Sequence, residues 1–323
     1  MSTALRDLTP RGRLSFDAPL GPRAWFRTGG NAEALFVPKD AQDLAETLAA
    51  LPPHTPVTVL GACSNVIIRD GGLDGLVVRL AGGFAEIVIE PDGLIAGAAA
   101  LDMMVAEQAA GAGLAGVEFL AGIPGSIGGA VVMNAGAYGS DINAVLDWAE
   151  VLLPDGSITK LDNPALAFTY RHAVLPQGAI VLRARLRAQP GDKAQIRAHI
   201  AGIKEAREAS QPIKSRTGGS TFRNPDGHKA WQLIDEAGCR GLIQGGAQVS
   251  EKHCNFLLNL GEATSADLET LGDLVRQRVL DHSGIALHWE IKRLGRKAGE
   301  VLHDHAQQKD TPSVDELRRE ETP

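Results

Sequence analysis

At 323 residues, with 44% hydrophobic and 22% charged positions, the chain has an ordinary globular composition and core enough for two or three domains. A formal net charge of -7 argues against wholesale nucleic-acid binding. The three cysteines, Cys63, Cys239 and Cys254, show no C-x-x-C spacing, so neither a disulfide framework nor a thiolate zinc site is indicated.

The first residues, MSTALRDLTPRGRL, contain no apolar signal core, and no uncharged apolar run of about eighteen residues occurs, so a cytoplasmic protein is expected. Arg27, Thr28, Gly29, Gly30 and Asn31 form a small-residue turn suited to phosphate or ribose. Strands are predicted at 34–38, 57–60, 66–68 and 76–80, with a helix over 41–51 capped by Asp40. Between them, Gly61, Ala62, Cys63, Ser64 and Asn65 make a second turn of the same kind. The runs EIVIEPDGLIAGA and EVLLPDGSITKL each carry Pro-Asp-Gly between apolar halves and predict two antiparallel hairpins.

Gly111, Gly113 and Gly116 match G-x-G-x-x-G, but they follow a helical run at 101–110 and open no helix. The dinucleotide reading of that motif is rejected. The next segment, 116–140, holds seven glycines and lies in a stretch from Arg79 to Lys160 with no lysine or arginine between. The backbone over Gly122, Ile123, Pro124, Gly125, Ser126, Gly128, Gly129, Asn134, Ala135 and Gly136, with an N–H at every position but Pro124, suits a diphosphate that local cations do not meet, unless the loop is simply a tight turn in a core.

Phe168, Thr169, Tyr170 and Arg171 end in a guanidinium able to clamp a carboxylate; a surface arginine stacked on its neighbours is the plainer reading. AQPGD at 188–192 reads as a linker. After it a helix carries Ile196, Ile200 and Ile203 and stops at Pro212. Gly218 to Pro225 (GGSTFRNP) offers Ser220, Arg223 and Asn224 within five residues, without the elbow of a hydrolase serine. A helix over 265–283 has Ser265 as its expected N-cap, a stripe of Leu268, Leu271, Val275 and Val279, and Gly284 beyond its end. In HWEIKRLG, read as a strand, Glu290 and Lys292 share a face opposite Trp289 and Ile291; a solvated carboxylate would explain Glu290 equally well. From 296 to 323 the composition predicts a disordered tail, where His303, Asp304 and His305 are too few to fix a metal.

In this order, WFRTGGNAEALFVP, LGACSN, GVEFLAGIPGSIGGAVVMNAGAYG, FTYR, GGSTFRNP, AWQLIDEAGCRG, KHCNFLLN and HWEIKRLG resemble the UDP-N-acetylenolpyruvoylglucosamine reductase (MurB) family over about residues 20 to 295. The resemblance implies an α+β fold: a two-subdomain FAD-binding region of the vanillyl-alcohol-oxidase-like type plus a C-terminal α+β substrate domain. The matching division is 1–80 and 81–190 for the FAD subdomains, 191–295 for the substrate domain and 296–323 for the tail.

It also implies noncovalent FAD, NADPH as hydride source, and reduction of an enolpyruvyl ether on UDP-N-acetylglucosamine to UDP-N-acetylmuramate in peptidoglycan synthesis, by a monomer without nucleic-acid or membrane partners. Under it Arg171, Ser220 and Glu290 are catalytic, with Ser220 the proton donor. Arg27, Thr28, Gly29, residues 61–65 and the glycine loop hold FAD, and Arg223 and Asn224 hold substrate, with Lys252, His253 and Asn255 as weaker candidates. The chain has only Tyr138 and Tyr170, so it resembles the compact subtype lacking a tyrosine-bearing loop between FTYR and GGSTFRNP. An alcohol oxidase of the same fold and a noncatalytic flavin or sugar-nucleotide module are the competing readings.

Overall fold

The computed structural model describes residues 3–300. His303, Asp304 and His305, and the expected tail beyond Glu300, lie outside the described residues.

Strands β1 (Arg13–Pro19) and β2 (Asn31–Val37) form an antiparallel pair, and helix α1 (Ala41–Ala49) starts at Asp40, whose carboxylate accepts the Asp43 N–H at 2.8 Å. Then come β3 (Val57–Val59), β4 (Val66–Ile68) and β5 (Leu73–Val78). The sheet runs β1-β2-β5-β3, with β2, β5 and β3 parallel. One side of it buries Phe36, Leu76 and Val78 against Leu152, Ile180 and Leu182 of the following sheet, so the two sheets share a core.

The second sheet contains β6 (Ile87–Glu90) and β7 (Gly93–Gly97), separated by helices α2 (Asp102–Ala112) and α3 (Ile127–Met133) from β8 (Leu146–Leu152), β9 (Ile158–Asp162) and β10 (Ile180–Arg187). Its order is β9-β8-β10-β7-β6, antiparallel throughout, and both Pro-Asp-Gly hairpins are present. Gly113 ends α2 in the left-handed region (φ 78°), which explains the rejected glycine motif as a helix stop.

Helix α4 (Lys193–Ser210) differs from expectation. Its Ile196, Ile200 and Ile203 join the core of Val105, Ala109 and Leu120 in this second unit. The segment before it is no free linker either, since Gln189 and Pro190 pair with Ala115 and Leu114.

The third sheet has β11 (Arg216–Thr217), β12 (Ile243–Gln244), β13 (Ala247–Val249) and β14 (Leu257–Asn259) in the order β11-β14-β13-β12, covered by α5 (Ala230–Glu236) and α6 (Ser265–Ser283). The α6 stripe of Leu268, Leu271, Val275 and Val279 is fully buried. Its N-cap is Thr264, in a capping box with Asp267, rather than Ser265. Ser265 is instead the first helical residue and its hydroxyl donates to Ile68 O at 2.6 Å, tying α6 to β4. A last strand, β15 (Lys292–Leu294), pairs in parallel with β4. The chain stays attached past 295: Arg296 forms an ion pair with Asp74 at 2.7 Å and its N–H donates to Gly72 O.

Candidate active site

The glycine loop arrives from α2 through a 3-10 turn at Glu118–Gly122 and enters α3 at Ser126. The Ile127 and Gly128 amides donate to Ala100 O and Ala98 O at 3.0 and 2.9 Å, laying the helix on the end of β7. These two donors are spent on packing, and so are the Ile123, Asn134 and Ala135 amides, which donate to Leu120 O, Val131 O and Ala130 O. Gly128 permits the contact, because a Cβ there would come 2.9 Å from Ala98 Cβ. Gly129 faces open space instead: its Cβ would meet nothing nearer than Ser126 Oγ, 4.0 Å away.

Helix α3 ends at Asn134, left-handed at φ 43°, whose Nδ2 donates to Thr169 O at 3.0 Å. That bond carries the tight turn from Thr169 to His172, closed by backbone hydrogen bonds in both directions. Arg171 sits in it at φ 57°, a conformation that costs a non-glycine residue about 1 kcal/mol or more. Its Nη1 donates to Gly136 O at 3.0 Å, and its Nε lies 2.9 Å from Glu290 Oε1 without the alignment of a directed hydrogen bond.

Three distant segments are laced together on the opposite wall. The Gly219 N–H donates to Ser64 O, Glu290 N–H to Thr221 O and Lys292 N–H to Asn65 O, at 3.0, 2.8 and 3.0 Å. Asn65 Nδ2 also donates to Glu290 O at 3.2 Å. Ser220 and Glu290 are thereby fixed by backbone, and the Ser220 hydroxyl has no partner among the described residues. Burial pushes the Glu290 carboxyl up from its ordinary value, opposed by the nearby Arg171 and Arg223 charges.

Both walls border one cavity of about 700 Å³. It brings together Arg171, Ser220 and Glu290 with Gly61, Ala62, Cys63, Ser64 and Asn65, and with Gly122, Ile123, Pro124, Gly125, Ser126, Gly128, Gly129, Ala135 and Gly136. Glu290 and Lys292 face it together, as the strand reading requires. Its cations, Arg79, Arg171, Arg207 and Lys292, all come from outside the cation-free stretch.

Other expected residues lie elsewhere. Arg27 donates to Pro22 O, Thr28 is buried against the Ser265 hydroxyl at 3.0 Å, and Gly29 packs on Ile68; none borders the cavity. Asn134 stands behind it, holding Thr169 and Asn143. Asn224 Oδ1 accepts the Ala230 N–H at the start of α5, and Arg223 is near enough to Glu290 to lower its pKa without lining the space. Asn255 bonds Phe222 through both ends of its amide, His253 packs on Phe256, and Lys252 donates to Glu208 O, so these three are also outside. Sequence reading missed Asp102 and Arg207, which do line the cavity; an acid in a helix's first turn and an arginine on an amphipathic helix carry no signal of that kind.

The residues fit a flavin dinucleotide. Gly129 and Gly219 present bare backbone to the space, Ser126 Oγ is buried without a partner beside it, and the lining takes in Val57–Leu60 and Arg79 as well as Arg171, Ser220 and Glu290. Family models match in agreement: an FAD binding domain over residues 32–162, and the UDP-N-acetylenolpyruvoylglucosamine reductase C-terminal domain over 211–294. Curated reductases of that name from Gluconobacter oxydans and Acidiphilium cryptum are 68% and 64% identical to it. The alignments cover 89% and 88% of this chain and 94% and 92% of those proteins.

The chain belongs to the UDP-N-acetylenolpyruvoylglucosamine reductase family. The crystal structure of the Thermus caldophilus reductase (MurB), 34% identical, superposes with a TM-score of 0.76, covering 89% of this chain and all of that one. The fold is accordingly the family's α+β arrangement, an FAD-binding region of the vanillyl-alcohol-oxidase-like type followed by a C-terminal α+β part.

Proposed function

We propose that this chain reduces UDP-N-acetyl-3-O-(1-carboxyvinyl)glucosamine to UDP-N-acetylmuramate in peptidoglycan synthesis, with NADPH as hydride source and noncovalent FAD as carrier. The observation that carries the reading is the single cavity in which Arg171, Ser220 and Glu290 meet the glycine loop. FAD, when bound, supplies the hydride that adds to the vinyl carbon, and negative charge develops on the neighbouring carbon and its carboxylate.

Arg171, held by Gly136 O and Glu290, is placed to stabilise that charge as it forms. Ser220 then supplies the proton; a hydroxyl is a weak acid, so it suits only a strongly basic enolate at hydrogen-bond distance. An ionised Glu290 would repel the enolate. Burial raises the Glu290 pKa against the pull of Arg171 and Arg223, which favours the protonated acid beside Arg171.

Gly61 to Asn65 and the loop from Gly122 to Gly136 hold the cofactor, Asn134 by fixing the turn at the end of α3, while Arg27, Thr28 and Gly29, which pack on Pro22, Ser265 and Ile68, act at most through the fold. Arg223 contributes through its field at Glu290 and Asn224 by fixing the turn beside it, on the substrate's side. Residues up to about 80 and 81–210 form the two FAD subdomains and 211–295 the substrate domain; the packing of α4 supports moving that boundary from 191 to 211. The enzyme acts as a monomer in the cytoplasm; among the described residues no helix is long and apolar enough to cross a membrane.

Anaerobic stopped-flow spectrophotometry tests the reading. NADPH should bleach the flavin and the enolpyruvyl sugar nucleotide should restore its colour. Reoxidation by oxygen alone would favour the oxidase, and a protein that takes up no flavin would reject both. Ser220→Ala should bleach at the normal rate but regain colour about a hundredfold or more slowly; normal recovery removes Ser220 from the mechanism.

A further inference from the structure

Asp102, the first residue of α2, is fully buried, and neither of its carboxyl oxygens has a hydrogen-bond partner. Its Oδ2 lies 2.5 Å from the position a Cβ would take on Gly125. Asp102 therefore packs against the face of Gly125 where a side chain would be, in the wall of the cavity. The next residue of the loop, Ser126, is 3% exposed and its hydroxyl is also unpartnered, 2.6 Å from where a Gly61 Cβ would be. Two buried orphans flanking one loop are unusual, since buried polar groups are nearly always paired, and an exception calls for a ligand or another explanation. Neither touches Arg171, Ser220 or Glu290.

We propose that Asp102, as a neutral carboxylic acid, binds the adenosine-diphosphate half of FAD, its O–H donating to an oxygen of that half once the Gly125 segment moves aside. The inference rests on the flavin reading of the cavity. On that reading the isoalloxazine would lie beside Arg171, Ser220 and Glu290, which leaves the rest of the lining, the glycine loop included, for the diphosphate and adenosine. An ionised carboxylate there would repel phosphate, but burial alone holds the Asp102 carboxyl well above the ordinary range, and no charged side chain contributes to the shift. The neutral acid has the donor that a phosphate or ribose oxygen needs.

A group kept for a ligand and left unpaired without it should cost the apoprotein stability. The test compares wild type, Asp102→Leu and Asp102→Asn as deflavinated proteins, by thermal melting and by fluorescence titration with FAD and with FMN. Asp102→Leu should melt higher than wild type yet bind FAD about tenfold or more weakly, with FMN affinity unchanged. Asp102→Asn, which keeps a donor, should hold FAD close to wild type.

A Leu variant whose apoprotein melts lower would mark Asp102 as a structural residue and overturn the proposal. Unchanged FAD affinity would overturn it too, and equal loss for FAD and FMN would refute the assignment to the adenosine-diphosphate half. Asp102→Ala takes the same measurements if the leucine variant does not fold. Failure of wild-type apoprotein to bind FAD would count against the flavin reading, not this inference.

Discussion

Arg171 illustrates how a single residue can be worth backbone strain. Glycine would suit its left-handed turn position better, yet only a long planar cation reaches both Gly136 O and Glu290 from there. Arg171→Lys has a single charged nitrogen for two partners. It should lower kcat about a hundredfold while flavin content stays normal, checked by absorbance and turnover on the same sample. For Glu290 the sign is set by burial. Its folded pKa is raised, so the protonated form is full below the ordinary carboxylate range and is lost as pH rises through the folded value. Rate of flavin reoxidation should fall along that limb in wild type, and Glu290→Gln should flatten it.

Of these residues, Arg171, Ser220 and Glu290 were legible because each sits in a distinctive motif whose order along the chain is itself informative. Asp102 was not. A carboxylate in the first turn of a helix is favoured by the macrodipole in any helix, and only the fold reveals that this one is buried and unpaired. Arg27, Thr28 and Gly29 stand off the cavity, and a turn rich in small polar residues reads the same in sequence whether it meets a phosphate or, as Thr28 does, Ser265.

Elements were easier to find than their neighbours. The α4 stripe of Ile196, Ile200 and Ile203 announces an apolar face but not which core receives it, and it joins the second unit rather than the third. Thr264 and Ser265 are both competent N-caps in sequence, and the capping box with Asp267 decided between them. Within α3, adjacent glycines carry opposite duties. Gly128→Ala should force Ala98 away and lower the melting temperature, a cost of about 1–3 kcal/mol. Gly129→Ala should leave the apoprotein's melting unchanged and weaken FAD binding, since its methyl enters the cavity. Thermal melts and flavin titrations on the two variants read both effects.

At the scale of the whole molecule, the first and third units are fastened together beneath the site. Asp70 accepts the Ser265 and Ala266 amides at the start of α6, both at 3.0 Å, and Arg69 pairs with Glu269 at 2.8 Å. Asn259 Nδ2 reaches Phe26 O at 2.7 Å. Asp70→Ala removes a cap supplied from another unit, and stability should fall by about 1 kcal/mol in denaturant titration. A loss too small to measure would show that Thr264 caps the helix alone.

The pairing of β15 with β4 has a consequence in time. Glu290 and Asn65 are 225 residues apart in the chain, yet they share a hydrogen bond inside the site. During synthesis the cofactor loops emerge complete while the segment that delivers Glu290 is still unmade, and long-range closures of this kind are the slow ones. The wall carrying Glu290 can therefore close only once nearly the whole described chain has been made.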